Sequence, residues 1–256
     1  MSTPLYDSFS VNYDRFVNWE ERLRYELPFI EEQLAGVGAR RLLDAACGTG
    51  MHAIALAQQG YRVIGADASA GMIQRARANA AGLECDVSFK VAGLGELAPQ
   101  VADGLDAVLC LGNSLPHLLT TDALNAALND FHRLLRRGGL LIIQNRNFDR
   151  VIQDDNGRWM EPQTYREDGR EWLFVRFYDI RQDGTLSFNL VTLSRCEPGG
   201  WEQQVDSTLL RPWLRSELES LVALAGFHDA EFYGDMSGTS FDPQSSGNLV
   251  ITAKRG

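Results

Sequence analysis

Apolar and polar positions along the chain follow three successive rhythms. Up to about Val37, FVNWEERLRYELPFIEEQL places apolar residues three and four apart, which predicts helix. Pro28 inside that stretch predicts two helices or a kink. From there the pattern alternates. Short apolar runs, RLLDAA, YRVIGAD, VSFKVA, LDAVLCLG and GLLIIQN, read as buried parallel strands. Between them lie the amphipathic stretches HAIALAQQG, SAGMIQRARANAAG and TDALNAALNDFHRLLRRGG, each predicted to end at its glycine. The third rhythm is that of strands. EWLFVRFYDI, TLSFNLVTLSRC and WEQQVDSTLLRPWL are separated by DG and GG and read as an antiparallel layer. A last helix, LRSELESLVALAG, precedes two further strands, FHDAEFYGD and NLVITAKR.

These elements predict an α/β fold: a doubly wound, Rossmann-like sheet interrupted by an inserted antiparallel β layer. The expected organisation is a helical segment over residues 1–37, a core over 38–149, the β insertion over 150–213, and the end of the core over 214–256. In such a sheet ligands bind outside the carboxyl ends of the strands.

Composition narrows the classes. With 256 residues, 45% hydrophobic and 23% charged, the chain can build a full core without staples. Its four cysteines are scattered without a CxxC pair or a nearby histidine cluster, so neither disulfides nor a metal site is expected. The N-terminus lacks a basic start followed by an apolar run, and no apolar stretch reaches membrane-spanning length. Those readings predict a cytoplasmic protein with no membrane partner. A net charge of −10 weighs against nucleic acid. The one basic cluster, HRLLRR, is predicted to complement a helix end.

Candidate chemistry begins at LLDAACGTGMHA, a strand running into a glycine turn and a helix. Gly48 and Gly50 permit a sharp turn and close approach of a ligand to the backbone, at the helix N-terminus. Asp67 ends the second strand 17 positions beyond Gly50, where a carboxylate can accept both hydroxyls of a ribose. The same residues satisfy a loose GxGxxA dinucleotide pattern, so the loop alone leaves the cofactor open. Asp44 within the strand, and the helix and strands that follow the fifth strand, weigh against the dinucleotide reading. Cys47 reads as a small residue in a tight turn, with a nucleophilic role as the weaker alternative.

The pattern Asp44-Ala45-Ala46-Cys47-Gly48-Thr49-Gly50 resembles the D-x-x-x-G-x-G motif of the class I S-adenosylmethionine-dependent methyltransferases, whose sheet has seven strands. CLGNSLPHL, QNRNFD and VIGADAS, with the N-terminal YDSFSVNYDRFVNWEERLR, are similar to glycine N-methyltransferase and the bacterial glycine/sarcosine N-methyltransferases. The resemblance implies S-adenosyl-L-methionine as cofactor. Arg22 would pair with its carboxylate. Asp44, Ala46, Gly48 and Gly50 would form the turn around its methionine part. Asp67 would hold the ribose, Ala68, Met72, Gly93 and Leu94 the adenine, and Leu111 would lie beside the sulfonium. On the acceptor side it implies Asn113, His117 and Tyr13 at the reacting atoms and Arg146 as a clamp on a carboxylate. Tyr165 and Arg195 in the insertion complete the substrate-side candidates.

Duller readings stand beside these. Asn113 would be a turn residue, His117 a satisfied loop histidine, Arg146 a partner of Asp149, and Tyr13 and Tyr6 packing residues. Three departures touch the substrate. Phe148 stands where the glycine enzymes usually have Tyr, Pro116 replaces a small residue, and Arg195 follows a strand expected to supply an aromatic hydroxyl. An extra cation there implies a second carboxylate or a phosphate on the acceptor, or a solvated strand end. The expected function is methyl transfer to the nitrogen of a small amine or amino acid such as glycine or sarcosine. The alternatives are another small molecule, a protein acceptor, or a non-catalytic cofactor-binding module. The resemblance admits a homo-oligomer without requiring one.

Overall fold

The computed structural model describes residues 10, 12–153, 158–196 and 198–256. Residues 12–16 are helical, and after the N-cap Asn18 a single helix, α1, runs Trp19–Gly36. Pro28 does not split it. The carbonyl that proline leaves without a partner belongs to Arg24, an exposed residue whose carbonyl water can satisfy.

The core alternates as the periodicity predicts. Strands β1 (Arg41–Ala45), β2 (Arg62–Asp67), β3 (Val87–Val91), β4 (Leu105–Cys110) and β5 (Leu135–Arg146) are joined through α2 (Met51–Gln58), α3 (Ala70–Ala80) and α4 (Thr121–Leu134). β1–β2, β2–β3, β1–β4 and β4–β5 pair in parallel. A short helix α5 (Phe148–Val151) leads into the insertion. The chain returns through α6 (Arg215–Leu224), β10 (Phe227–Tyr233) and β11 (Asn248–Arg255). β11 lies antiparallel against β5, which gives the seven-stranded order β10-β11-β5-β4-β1-β2-β3. This is the doubly wound sheet the sequence predicts.

One boundary differs. The helix expected to run to the glycine pair at Gly138 stops at Leu134, and LRRGG opens β5 instead. The basic cluster therefore does not sit at a helix end as a unit. Arg133 stays on the last turn of α4, whereas Arg136 leaves it and bonds Asp106 at 2.6 Å and the carbonyl of Val37 at 2.9 Å. A carboxylate partner on the neighbouring strand outweighs the weak field of a helix terminus.

The inserted layer is a four-stranded antiparallel sheet in the order β6 (Gln163–Glu167), β7 (Arg170–Ile180), β8 (Leu186–Cys196) and β9 (Glu202–Leu210). One face is apolar because side chains alternate along a strand. Phe174, Tyr178, Leu186, Leu190 and Leu210 are buried on it. Trp213, just past β9, is buried in the main core, and its indole donates to the carbonyl of Leu118 at 3.0 Å. That contact anchors the return from the insertion beside the loop after β4. No helix among the described residues is long and apolar enough to cross a membrane.

Candidate active site

Five parallel strands bring the loop candidates to one edge of the sheet. After β1 the backbone enters the left-handed region at Ala46 (φ 58°), Gly48 (φ 55°) and Gly50 (φ 80°). A Cβ on Gly50 would stand 2.7 Å from the Phe89 ring, so no other residue fits that corner. At the end of β2, Asp67 accepts from the N–H of Gly48 at 2.9 Å and from that of Ser69 at 2.8 Å. The carboxylate thus ties the two loops together while keeping lone pairs for a ligand. Ala68 follows it, and Met72 is buried in the first turn of α3. Gly93 and Leu94 follow β3, with Leu94 partly packed on the core, and Leu111 is buried just past β4.

Asp44 is 2% exposed, and its Oδ2 has no hydrogen-bond partner. Burial, reinforced by the charge of Asp67, pushes its carboxyl up to about 7. Burial also pushes the Cys47 thiol well above its ordinary value, which leaves it inert as a nucleophile.

The N-terminal segment closes over this edge. Tyr13 is placed with a ring carbon 3.8 Å from where a Cβ on Gly48 would be. Asp14 accepts from Thr49 at 2.6 Å, Arg75 at 2.8 Å, and Asn79 and Trp19 at 3.1 Å each. On α1, Glu26 is buried, with one oxygen 2.6 Å from His52 Nε2 and 3.1 Å from Arg22 Nε. Its other oxygen accepts from Gln144 at 2.9 Å, and Gln144 accepts in turn from the N–H of Gly112 at 3.1 Å. Burial opposes the charge on Glu26, yet its hydrogen bond to His52 and the charge of Arg22 bring its carboxyl down to about 2. Burial lowers the His52 imidazole, so the neutral ring donates its Nε2–H into that carboxylate. Arg22 is held in this way beside Gly112, close to the sheet edge.

Arg22 and Tyr13 also line a cavity of about 710 Å³ between α1, the ends of β4 and β5, and the inner face of the second sheet. Asn113, His117 and Arg146 line it too. Asn113 has φ 71°, and its Oδ1 accepts from the backbone N–H of Arg146 at 2.9 Å, so its amide nitrogen is the group left for a ligand. Arg146 does not pair with Asp149, which accepts instead from the N–H of Arg215. Arg146 Nε is buried and has no hydrogen-bond partner. Burial pushes the His117 imidazole down to about 4, so it is neutral at physiological pH.

Two expected residues lie elsewhere. Arg195 bonds Glu171 at 2.7 Å and stacks 4.8 Å over Trp201, because it alternates onto the face of β8 opposite Leu190. The extra cation read there is spent on a carboxylate of its own sheet. Tyr165 shares the inner face but packs against Trp172, with ring centroids 5.9 Å apart, beyond the cavity lining. Tyr6 lies outside the described residues. Phe148 is fully buried beside Tyr178.

The lining also contains residues the sequence did not single out: Glu26, Gln144, Arg176 and Tyr178. A signal for Arg176 existed. In Trp172-Leu173-Phe174-Val175-Arg176-Phe177-Tyr178 it occupies the apolar face of the alternation, where a charge needs a reason.

Residues 42–139 match a family described as methyltransferase domain. The chain is 35% identical over 147 residues to the glycine/sarcosine N-methyltransferase of Parasynechococcus marenigrum (strain WH8102), covering 57% of this chain and 52% of that protein. It is 33% identical over 232 residues to the glycine/sarcosine/dimethylglycine N-methyltransferase of Actinopolyspora halophila, covering 90% of this chain and 39% of that one. The chain thus spans about half or less of these relatives' lengths. Among solved structures, an S-adenosylmethionine-dependent methyltransferase from Clostridium acetobutylicum ATCC 824 superposes with a TM-score of 0.77 at 16% identity. It covers 98% of this chain and 99% of that one, a likeness of fold.

Proposed function

We propose that this chain, which belongs to the class I S-adenosylmethionine-dependent methyltransferases, transfers a methyl group to the nitrogen of a small carboxylated amine. The observation that carries this reading is Arg146. Its guanidinium reaches a partly buried cavity with an unpartnered Nε, beside Asn113 and across from a tyrosine that touches the glycine turn.

The residues present suit the cofactor. The backbone turn at Ala46, Gly48 and Gly50 leaves room for close approach, Asp67 offers lone pairs to ribose hydroxyls, and Arg22 suits a carboxylate. Ala68, Met72, Gly93 and Leu94 would border the adenine, with Leu111 nearer the sulfonium. The orphaned Oδ2 of Asp44 is an acceptor awaiting a donor or a cation. When bound, S-adenosylmethionine supplies an electrophilic methyl group on a sulfonium.

Everything else falls to orientation. Arg146 would grip the acceptor carboxylate through paired N–H groups, and the Asn113 amide and the Tyr13 ring would bracket its amine. Holding an amine in line with a methyl donor is worth up to roughly 7–11 kcal/mol. His117 is too weak a base to take a proton from an ammonium, so we assign it a wall of the site and not proton transfer. The amine arrives deprotonated.

Arg146→Ala tests the clamp. Loss of a charge-assisted pair should lower kcat/KM for the accepted amine on the order of tenfold to a hundredfold, with S-adenosylmethionine affinity by calorimetry unchanged. Undiminished turnover would remove the carboxylate clamp.

A further inference from the structure

The cavity holds a second guanidinium that a glycine-sized acceptor does not use. Arg176 sits on β7, on the wall opposite the end of β5. Its Nε is buried without a hydrogen-bond partner, as is that of Arg146. Its guanidinium lies 4.6 Å over the Phe16 ring and, among the described residues, donates to a backbone carbonyl, that of Glu161, at 3.5 Å. Burial lowers its pKa, with Tyr178 and Tyr13 working against that shift and the charge of Arg146 adding to it. The lining carboxylates do not answer this charge. Glu26 is committed to Arg22 and His52, and Glu21 accepts from Asn18 at the mouth.

Two partly buried cations facing one space repel each other, and each buried, unmet Nε–H carries a desolvation cost. A forked guanidinium engages both oxygens of one carboxylate along one edge, so a second guanidinium on the opposite wall is best met by a second acidic group. Resting on the function proposed above, we infer that the acceptor amine carries a second acidic group, a carboxylate or a phosphate, received by Arg176 while Arg146 holds the first. The extra cation that the sequence suggested at Arg195 is supplied from the inner face of the neighbouring strand. Glycine and sarcosine would then leave Arg176 unanswered.

The test gives the 256-residue chain S-adenosylmethionine and each of five amines: glycine, sarcosine, aspartate, iminodiacetate and O-phosphoserine. Wild-type kcat/KM should be at least tenfold higher for one of the three diacidic amines. Preference within those three separates a carboxylate from a phosphate. Arg176→Gln should reduce that preferred amine's kcat/KM about ten- to hundredfold while moving glycine less than threefold, and Arg176→Lys should recover part of the loss. Equal losses for monoacidic and diacidic amines would mean that both arginines grip one carboxylate, and would overturn the inference. So would a wild-type preference for glycine or sarcosine, an arm that needs no variant.

Calorimetry of the five amines with the S-adenosylhomocysteine complex separates the two readings. Arg176-dependent binding of a diacidic amine without methylation would sink amine methylation and keep the subsite. Methylation of glycine with no binding of any diacid would do the reverse.

Discussion

At the scale of single residues, the site depends on polar groups placed where burial changes their behaviour. Asp44 is the sharpest case. Its folded-state carboxyl is raised to about 7 against an ordinary value of 3.8, chiefly by burial. Between those values the native state holds a proton that the unfolded chain has released, so Asp44 makes stability fall as pH rises through that window. Above about 7 the loss is complete. Asp44→Asn should remove this slope: denaturation in urea at pH 5 and pH 8 should show the variant gaining on the wild type at the higher pH. A constant difference between the two would mean that Asp44 ionises normally. Glu26 shows the opposite balance, because His52, Arg22 and Gln144 outweigh its burial and keep it ionised. That anion fixes Arg22. The forked cation is therefore presented in one orientation at the sheet edge.

At the scale of elements, the glycine turn is a packing solution as well as the proposed cofactor cradle. The Phe89 ring fills the space beside both Gly50 and Gly65, where added Cβ atoms would stand 2.7 and 2.6 Å away, and Ala76 closes the same corner at 2.9 Å from Gly50. Gly50→Ala meets this crowding and a positive φ together. It should cost about 1–3 kcal/mol of stability, measured by chemical denaturation. An unchanged midpoint would show that Phe89 moves aside freely. Strand alternation governs the other wall of the site. On β7 and β8 one parity supplies Phe174, Arg176, Tyr178 and Leu190 to the interior, and the other sends Arg195 to Glu171. A shift of one position decides whether an arginine serves a ligand or its own sheet.

At the scale of the whole molecule, three layers meet around one space, and the chain's charge does not predict the charge of that space. Net charge is −10, yet arginines at 22, 24, 146 and 176 line the cavity against glutamates at 21 and 26. Closure depends on Asp14, whose four hydrogen bonds staple the N-terminal segment to Trp19, to Thr49 in the glycine turn and to α3. Asp14→Ala should release residues 12–18. Amide exchange there should accelerate while the strands of the core stay protected, and S-adenosylmethionine affinity should fall about tenfold, the equivalent of one charge-assisted bond. Unaltered exchange would show that Tyr13 and Phe16 hold the segment by packing alone.

Much of this was legible in the sequence, for a physical reason. Parallel strands, amphipathic helices and glycine turns are written in local periodicity and in residue types with few conformational alternatives, so the doubly wound sheet and the turn at Gly48 and Gly50 follow from short windows. The end of α4 was misplaced because a carboxylate 30 positions away, Asp106, draws Arg136 onto a strand. The site divides in the same way. Arg146 and Asn113 stand in motifs beside strand ends and could be named from the chain. Arg176 showed in the chain only as a charge within an apolar strand, since its facing Arg146 from a separate sheet is a pairing across a cavity that neither segment records. Local order follows from local chemistry. Only the packing of one layer against another decides which charges face an empty space.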